Sequence, residues 1–252
     1  MTGPGRLAPQ EEILKAVREV AQVHQDLARD TVLVTAGPTC EDLDPVRFIS
    51  NRSSGKMGYA VAAEAARRGA IVFLISGPTA LDCPEGVERV NVRTAEEMLR
   101  AVEARFAAAT IAVFAAAVAD YRPAEPAAAK IKRTTEALTI RLEPNPDILA
   151  TVAQKKGERV VVGFAAETDH LVENARKKLD QKNADLIVAN DVTAEGAGFD
   201  LDTNIVTIFS RDGRDLPLPR LAKTEVAQRI LDEVLRVRGA LRGMPASHRA
   251  GD

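Results

Sequence analysis

A chain of 252 residues, 46% hydrophobic and 28% charged, has an ordinary globular composition and enough length to bury a sizeable core. Its net charge of −2 gives no basis for a nucleic-acid or membrane-surface partner, so any cationic site has to be local. Cys40 and Cys83 lack metal-ligand spacing, the three histidines are scattered, and no apolar run approaches a membrane span, which together point to a cytoplasmic protein with reduced thiols.

Residues 1–10 read as a leader, and "EEILKAVREVAQVHQDLA" reads as an amphipathic helix with Ile13, Val17, Val20 and Leu27 on one face. That makes 1–30 a linker segment, 31–238 the domain, and 239–252 a tail with little to bury. Within the domain, "TVLVTA" (31–36) is a buried strand and 57–68 a helix stopped by Gly69. Strands follow at 71–76 and 89–92. Thr94 with Glu97 forms a capping box that opens the next helix. A strand of small apolar residues covers 111–117, and Asn145 with Pro146 reads as an N-cap and first helical residue. A strand at 160–166, a helix at 171–183, a strand at 185–190 and a helix near 221–236 complete the alternation. Two segments, "ALTIRLEP" (137–144) and "NIVTIFSRDG" (204–213), alternate with period two, as half-exposed antiparallel strands do. The fold expected is α/β: a doubly wound, Rossmann-like, mainly parallel sheet with antiparallel strand additions.

In such a sheet, ligands bind beyond the carboxyl ends of the strands, where strand order reverses. The loop 36–58 has neither the GxxxxGK[ST] nor the GxGxxG pattern. Ser53, Ser54, Gly55 and the amides entering the helix near Met57 suit a phosphate, but a serine-capped helix start without a ligand explains them equally well. Lys130, Lys132 and Arg133 lie in a Pro/Ala-rich stretch that reads either as a flap over an anionic substrate or as an exposed basic loop. Lys178 and Lys182 share a helix face, where their mild repulsion would be relieved by a phosphate, although a solvated basic face is the commoner case.

Taken in order, "TAGPT…LDPVRFISNRSSGKMG", "AAVADY", "KIKR", "NPDI", "GFAAET" and "ARKKLDQKNADLIVAND" resemble phosphopantothenoylcysteine synthetase of the bacterial, CTP-dependent type, over roughly 31–235. The resemblance implies a ligase that joins 4′-phosphopantothenate to L-cysteine in coenzyme A biosynthesis. CTP is cleaved to CMP and pyrophosphate through an acyl-cytidylate. It further implies Mg²⁺ held mainly by the CTP phosphates, a homodimer built on antiparallel edges at 204–213 or 137–144, and a flavin-dependent decarboxylase domain elsewhere in the full-length protein, so that no flavin belongs to this domain.

The site residues it implies are Asn51 as donor to the reacting acyl group, Arg47 as an anion clamp and Lys130 on the flap. For CTP they are Ser54, Gly55, Met57, Ala116, Asp120, Lys130, Asn145, Pro146, Asp147, Ile148, Phe164, Lys178 and Lys182. The flap departs from the family's Lys-x-Lys-Lys, since Arg133 stands in the last place. An NAD(P)-dependent reductase on a similar sheet is the alternative enzyme class, but it lacks GxGxxG and a Tyr-x-x-x-Lys pair; a nucleotide-sensing domain without chemistry is the non-enzymatic one.

Overall fold

The computed structural model describes residues 8–14, 25–167, 170–191 and 201–243. Its central sheet has eight strands. In chain order these are β1 (Thr31–Ala36), β4 (Ile71–Ser76), β5 (Val87–Asn91), β6 (Ile111–Phe114), β9 (Val160–Glu167), β10 (Leu186–Asp191), β12 (Val206–Ser210) and β13 (Asp215–Pro217). Across the sheet the order is β13-β12-β10-β9-β6-β1-β4-β5. The strands from β5 to β10 are parallel, whereas β12 and β13 are antiparallel additions. Three two-stranded ribbons lie outside the sheet: β2 (Cys40–Asp42) with β3 (Phe48–Ser50), β7 (Tyr121–Pro123) with β8 (Leu142–Pro144), and β11 (Thr203–Asn204) with β14 (Leu221–Ala222).

Successive strand residues point to opposite faces, and here both faces are covered. Val32, Val34, Ile111, Val113, Val160, Val162, Leu186 and Val188 join one core. There they meet helix α1 (Lys56–Arg67) and helix α5 (Lys223–Gly243). Leu33, Ala112, Phe114, Val161, Ile187 and Phe209 join the other. It is closed by α2 (Ala95–Phe106), α3 (Ile148–Ala153) and α4 (Leu171–Gln181). This is the doubly wound arrangement expected from the apolar runs, buried on both sides.

Local signals placed the helices well. Thr94 Oγ1 accepts from Glu97 N at 3.2 Å, while the Glu97 carboxylate reaches back to Arg93 N at 2.7 Å, one residue before the cap. α1 ends at Arg67, and Gly69 follows with φ 86°.

Five expectations need correction. Asn145 is not a cap: the N-cap is Asp147, whose Oδ1 accepts from Ala150 N at 2.9 Å, and α3 begins at Ile148, two residues beyond Pro146. The segment 137–144 is strand only over Leu142–Pro144. β12 is antiparallel as expected, but it is not half-exposed: Val206 and Ile208 are buried in the core with α5, and Phe209 in the core closed by α4, while β13 pairs along its outer edge. Residues 26–29 form a turn rather than the end of a helix, and Leu27 is fully buried there, with its amide on Arg68 O at 3.1 Å. Residues 10–14 are helical, while Val17 and Val20 lie outside the described residues. Finally, α5 runs past the expected end near 236 to Gly243, into the expected tail.

Candidate active site

The sheet reverses direction between β1 and β6: the chain runs from β1 outward through β4 and β5, then returns to β6 on the other side of β1. Beyond the carboxyl ends of these strands the backbone stays paired. Ala117 N donates to Gly37 O at 2.9 Å and Thr39 N to Ala117 O at 3.2 Å, a parallel bridge between Pro38 and Ala117. Ala116 N lies 3.3 Å from Thr35 Oγ1, and Ala119 N donates to buried Thr39 Oγ1 at 2.9 Å. The two loops therefore leave the sheet as one rigid seam.

Asn51 is fastened to this seam. Its Nδ2 donates to Ala117 O at 2.9 Å from an exposed position, which fixes the amide plane and leaves a second N–H on the same nitrogen. The chain then passes Ser53, whose Oγ accepts from Gly55 N at 3.3 Å, and enters α1 through Gly55 in the left-handed region. The amides that open a helix have no intrahelical partner and carry the positive end of its dipole. α1 sits unusually close to β1 because its third residue is Gly58: a Cβ there would stand 2.6 Å from Ala36 Cβ. Met57 packs against the core behind the loop.

A second group continues from the seam. Asn145 Nδ2 donates to Ala119 O at 2.8 Å, and Asn145 N to Asp120 O at 2.8 Å. Arg122 Nη1 lies 3.3 Å from Asn145 Oδ1. Pro146 leads to Asp147, whose other carboxylate oxygen pairs with Lys182 Nζ, so two residues assigned to the nucleotide from sequence hold each other across 35 positions. Ile148 is buried at the start of α3, Phe164 is half-buried against the core in β9, and Lys178 lies one turn before Lys182 on α4.

Arg47 and Lys130 belong to a third group. Asp44 is buried in the turn between β2 and β3, and its carboxylate accepts from Val46 N and Arg47 N, each at 2.8 Å. It also accepts from Arg47 Nε at 3.0 Å, Arg47 Nη2 at 2.5 Å and Ile131 N at 3.1 Å. Arg47 Nη2 donates to Ile131 O at 2.8 Å. The Arg47 guanidinium and these amides hold the Asp44 carboxyl far below the usual carboxylate range. Lys130 is exposed and precedes Ile131, whose backbone is bonded to Asp44 and Arg47.

Sequence reasoning gave Asp44, Thr39 and Asn190 no role. Asp44 precedes Pro45, a turn-initiating pair that was the available signal. Asn190, at the carboxyl end of β10, has a buried Oδ1 without a hydrogen-bond partner among the described residues. Nothing in its local sequence marks that. Residues 168–169 and 192–200, which follow β9 and β10 in the chain, lie outside the described residues.

Among the described residues no three His, Cys, Asp or Glu side chains gather as metal ligands. No described helix is long and apolar enough to cross a membrane.

Comparison with known proteins places the chain in a family and matches its fold. The DNA/pantothenate metabolism flavoprotein C-terminal domain family matches residues 27–237. The chain is 50% identical over 238 residues to the coenzyme A biosynthesis bifunctional protein CoaBC of Escherichia coli K12. It is 47% identical over 235 residues to that of Bacillus subtilis strain 168. Both alignments take in 92% of this chain but 58% of the relative, so the chain spans little more than half the length of these relatives. A crystal structure of the C-terminal domain of a CoaBC protein superposes with a TM-score of 0.73 at 43% identity, covering 87% of this chain and all of that one.

Proposed function

Because this chain belongs to the DNA/pantothenate metabolism flavoprotein C-terminal domain family, we propose that it is a phosphopantothenate–cysteine ligase that uses CTP. The observation that carries the reading is the seam at the sheet's reversal point, where Asn51, the Gly55 entry to α1 and Asn145 are tied to the same pair of loops. A site for nucleotide alone needs the α1 entry; a site that also handles an acyl group needs an oriented neutral donor beside it, and Asn51 is one.

The substrate carboxylate attacks the α-phosphorus of CTP, pyrophosphate leaves, and an acyl-cytidylate remains. The amine of cysteine then attacks the acyl carbon, CMP leaves with the bonding electron pair, and the amine gives up its proton. Negative charge grows on the acyl oxygen in this second step, and the Asn51 amide is assigned to that oxygen. Ser54, Gly55 and Met57 are assigned to the phosphates through backbone groups. Asn145 to Ile148 and Phe164 are assigned to the cytidine, with Ala116 and Asp120 bordering it. Lys178 and Lys182 supply positive charge, and Lys182 exchanges Asp147 for phosphate. Arg47 and Lys130 close from the flap side on an anionic group of the substrate or intermediate.

A homodimer and a decarboxylase domain in the full-length protein belong to the same reading. β12 is enclosed between β10 and β13, and of the two candidate edges the dimer contact is assigned to 137–144. Leu138, Ile140, Leu142 and Tyr121 are exposed along it, and Leu138 and Ile140 line a cavity of about 440 Å³ together with Leu43 and Ile131.

The test is pyrophosphate release. It is expected only when phosphopantothenate and CTP, with Mg²⁺, are all present, and ligated product requires cysteine as well. Equal turnover with ATP would remove the nucleotide assignment, and CTP binding without any ligation would favour a sensing domain.

A further inference from the structure

The loop leaving β4 received no role from the sequence, yet it forms a third wall of the seam. A Cβ placed on Gly37 or on Gly55 would in either case stand 2.9 Å from the same atom, the Cγ2 methyl of Thr79. Both glycines are left-handed, with φ 73° and 80°, and the missing Cβ of Gly55 also faces Gly37 Cα at 3.3 Å. Three chain segments thus meet where one methyl occupies the space that two absent side chains leave.

That methyl is held in place. Thr79 Oγ1 donates to Tyr59 Oη at 3.1 Å and accepts from Leu81 N at 3.3 Å. Tyr59 Oη and Ser76 Oγ share a hydrogen bond at 2.9 Å, and Ser76 Oγ donates to Gly77 O at 2.8 Å. Arg89 Nη1 reaches the same phenol oxygen at 3.4 Å and Leu81 O at 3.0 Å. The donors run in one direction, from Thr79 and Arg89 through Tyr59 and Ser76 to a backbone carbonyl, so every hydroxyl has a defined orientation. Tyr59 and Ser76 are buried, and Tyr59 is itself part of α1. An ordinary strand-end threonine needs only its bond to a nearby amide; the tie to α1 and the contact with both glycines are additional.

We propose that Thr79 is a positioning residue for the nucleotide. Its methyl sets the spacing of Gly37 and Gly55 and hence the aim of the amides that open α1, while the Tyr59 hydroxyl fixes the methyl. This inference rests on the reading of the Gly55 loop as the phosphate cradle.

The experiment titrates CTP into the folded chain by calorimetry and measures KM for CTP and for cysteine separately. The variants are T79S, which keeps the hydroxyl without the methyl, T79V, which keeps the methyl without the hydroxyl, and Y59F. T79S is expected to weaken CTP binding by about tenfold, since sub-ångström misplacement of a positioned group carries penalties on that order. T79V and Y59F each keep the methyl but remove its bond to the Tyr59 hydroxyl, and both are expected to weaken CTP binding by about threefold, less than T79S does, with KM for cysteine unchanged throughout. Binding by T79S as tight as the unaltered protein's overturns the role of the methyl, as does an equal rise in both KM values. Should T79S fail to fold, Y59F with unchanged CTP affinity overturns the anchoring. Failure of the unaltered chain to bind CTP is a different result: it rejects the phosphate-cradle reading on which the inference rests.

Discussion

Gly58→Ala tests whether the closeness of α1 to β1 matters for the site. The added Cβ would lie 2.6 Å from Ala36 Cβ, 3.1 Å from Ala36 Cα and 3.1 Å from Thr35 O. Carbon atoms prefer a separation of about 3.5–4.0 Å, so the helix start must retreat by roughly 1 Å. Two of the three contacts are to backbone of a central strand paired on both sides, so rotamer changes cannot relieve them. Overpacking of this kind costs about 1–3 kcal/mol, and alanine's better helix propensity returns about 1 kcal/mol at most. The net loss of up to about 2 kcal/mol should lower the melting temperature by up to roughly 4–8 °C in a chain of this size. Function should suffer more than stability, because Gly55, Lys56 and Met57 move with the helix. A shift of that size in a phosphate-facing group predicts CTP binding about 10- to 100-fold weaker. Calorimetric titration with CTP and a thermal melt read the two effects separately. A variant that melts lower yet binds CTP normally would show that the α1 entry is not the phosphate site. One that changes in neither respect would refute the packing argument itself.

Asn51→Asp should still release pyrophosphate and accumulate acyl-cytidylate while failing to complete ligation, seen by single-turnover product analysis; normal product formation would remove Asn51 from its assigned role. Asp44→Asn should leave CTP affinity near that of the unaltered protein but cut turnover several-fold, because Arg47 loses the carboxylate that orients it and the flap loses its anchor at Ile131 N. Asp212 provides a pH test away from the site. The Arg236 guanidinium lowers its carboxyl to about 2, so its contribution to stability is present above the unfolded value near 4 and is lost as pH falls toward 2. With the pair half-exposed, that contribution is about 0.5–1 kcal/mol. Asp212→Asn should therefore unfold at lower urea at pH 7 and match the unaltered protein near pH 2.

Most of the fold was legible because it is written in short-range patterns. Buried parallel strands read as unbroken apolar runs, and the Thr94 box and Gly69 stop act within a few residues of themselves. Candidate site residues were legible only through a resemblance; their local chemistry was ambiguous, as the even balance at Ser54 and Gly55 shows. Asn145 illustrates the difficulty. Its position before a proline fits a helix cap, yet its amide is taken by Ala119 O, 26 residues away, and Asp147 caps instead. No local rule weighs those two bonds against each other.

By itself the sequence determined the alternation of strands and helices and the burial of the central sheet on both faces. Tertiary structure alone decided which loops touch. The reversal of strand order beside β1 brings the segments after β1, β4 and β6 together, and glycines let backbone approach backbone within the space of a side chain. The same long-range closure turned Asp44 from an unassigned acid into the anchor of Arg47 and the flap, set Lys182 on Asp147, and placed one Thr79 methyl against two glycines. Pairings of this kind depend on the path of the whole chain, because each joins residues that are near neighbours only after the sheet has formed.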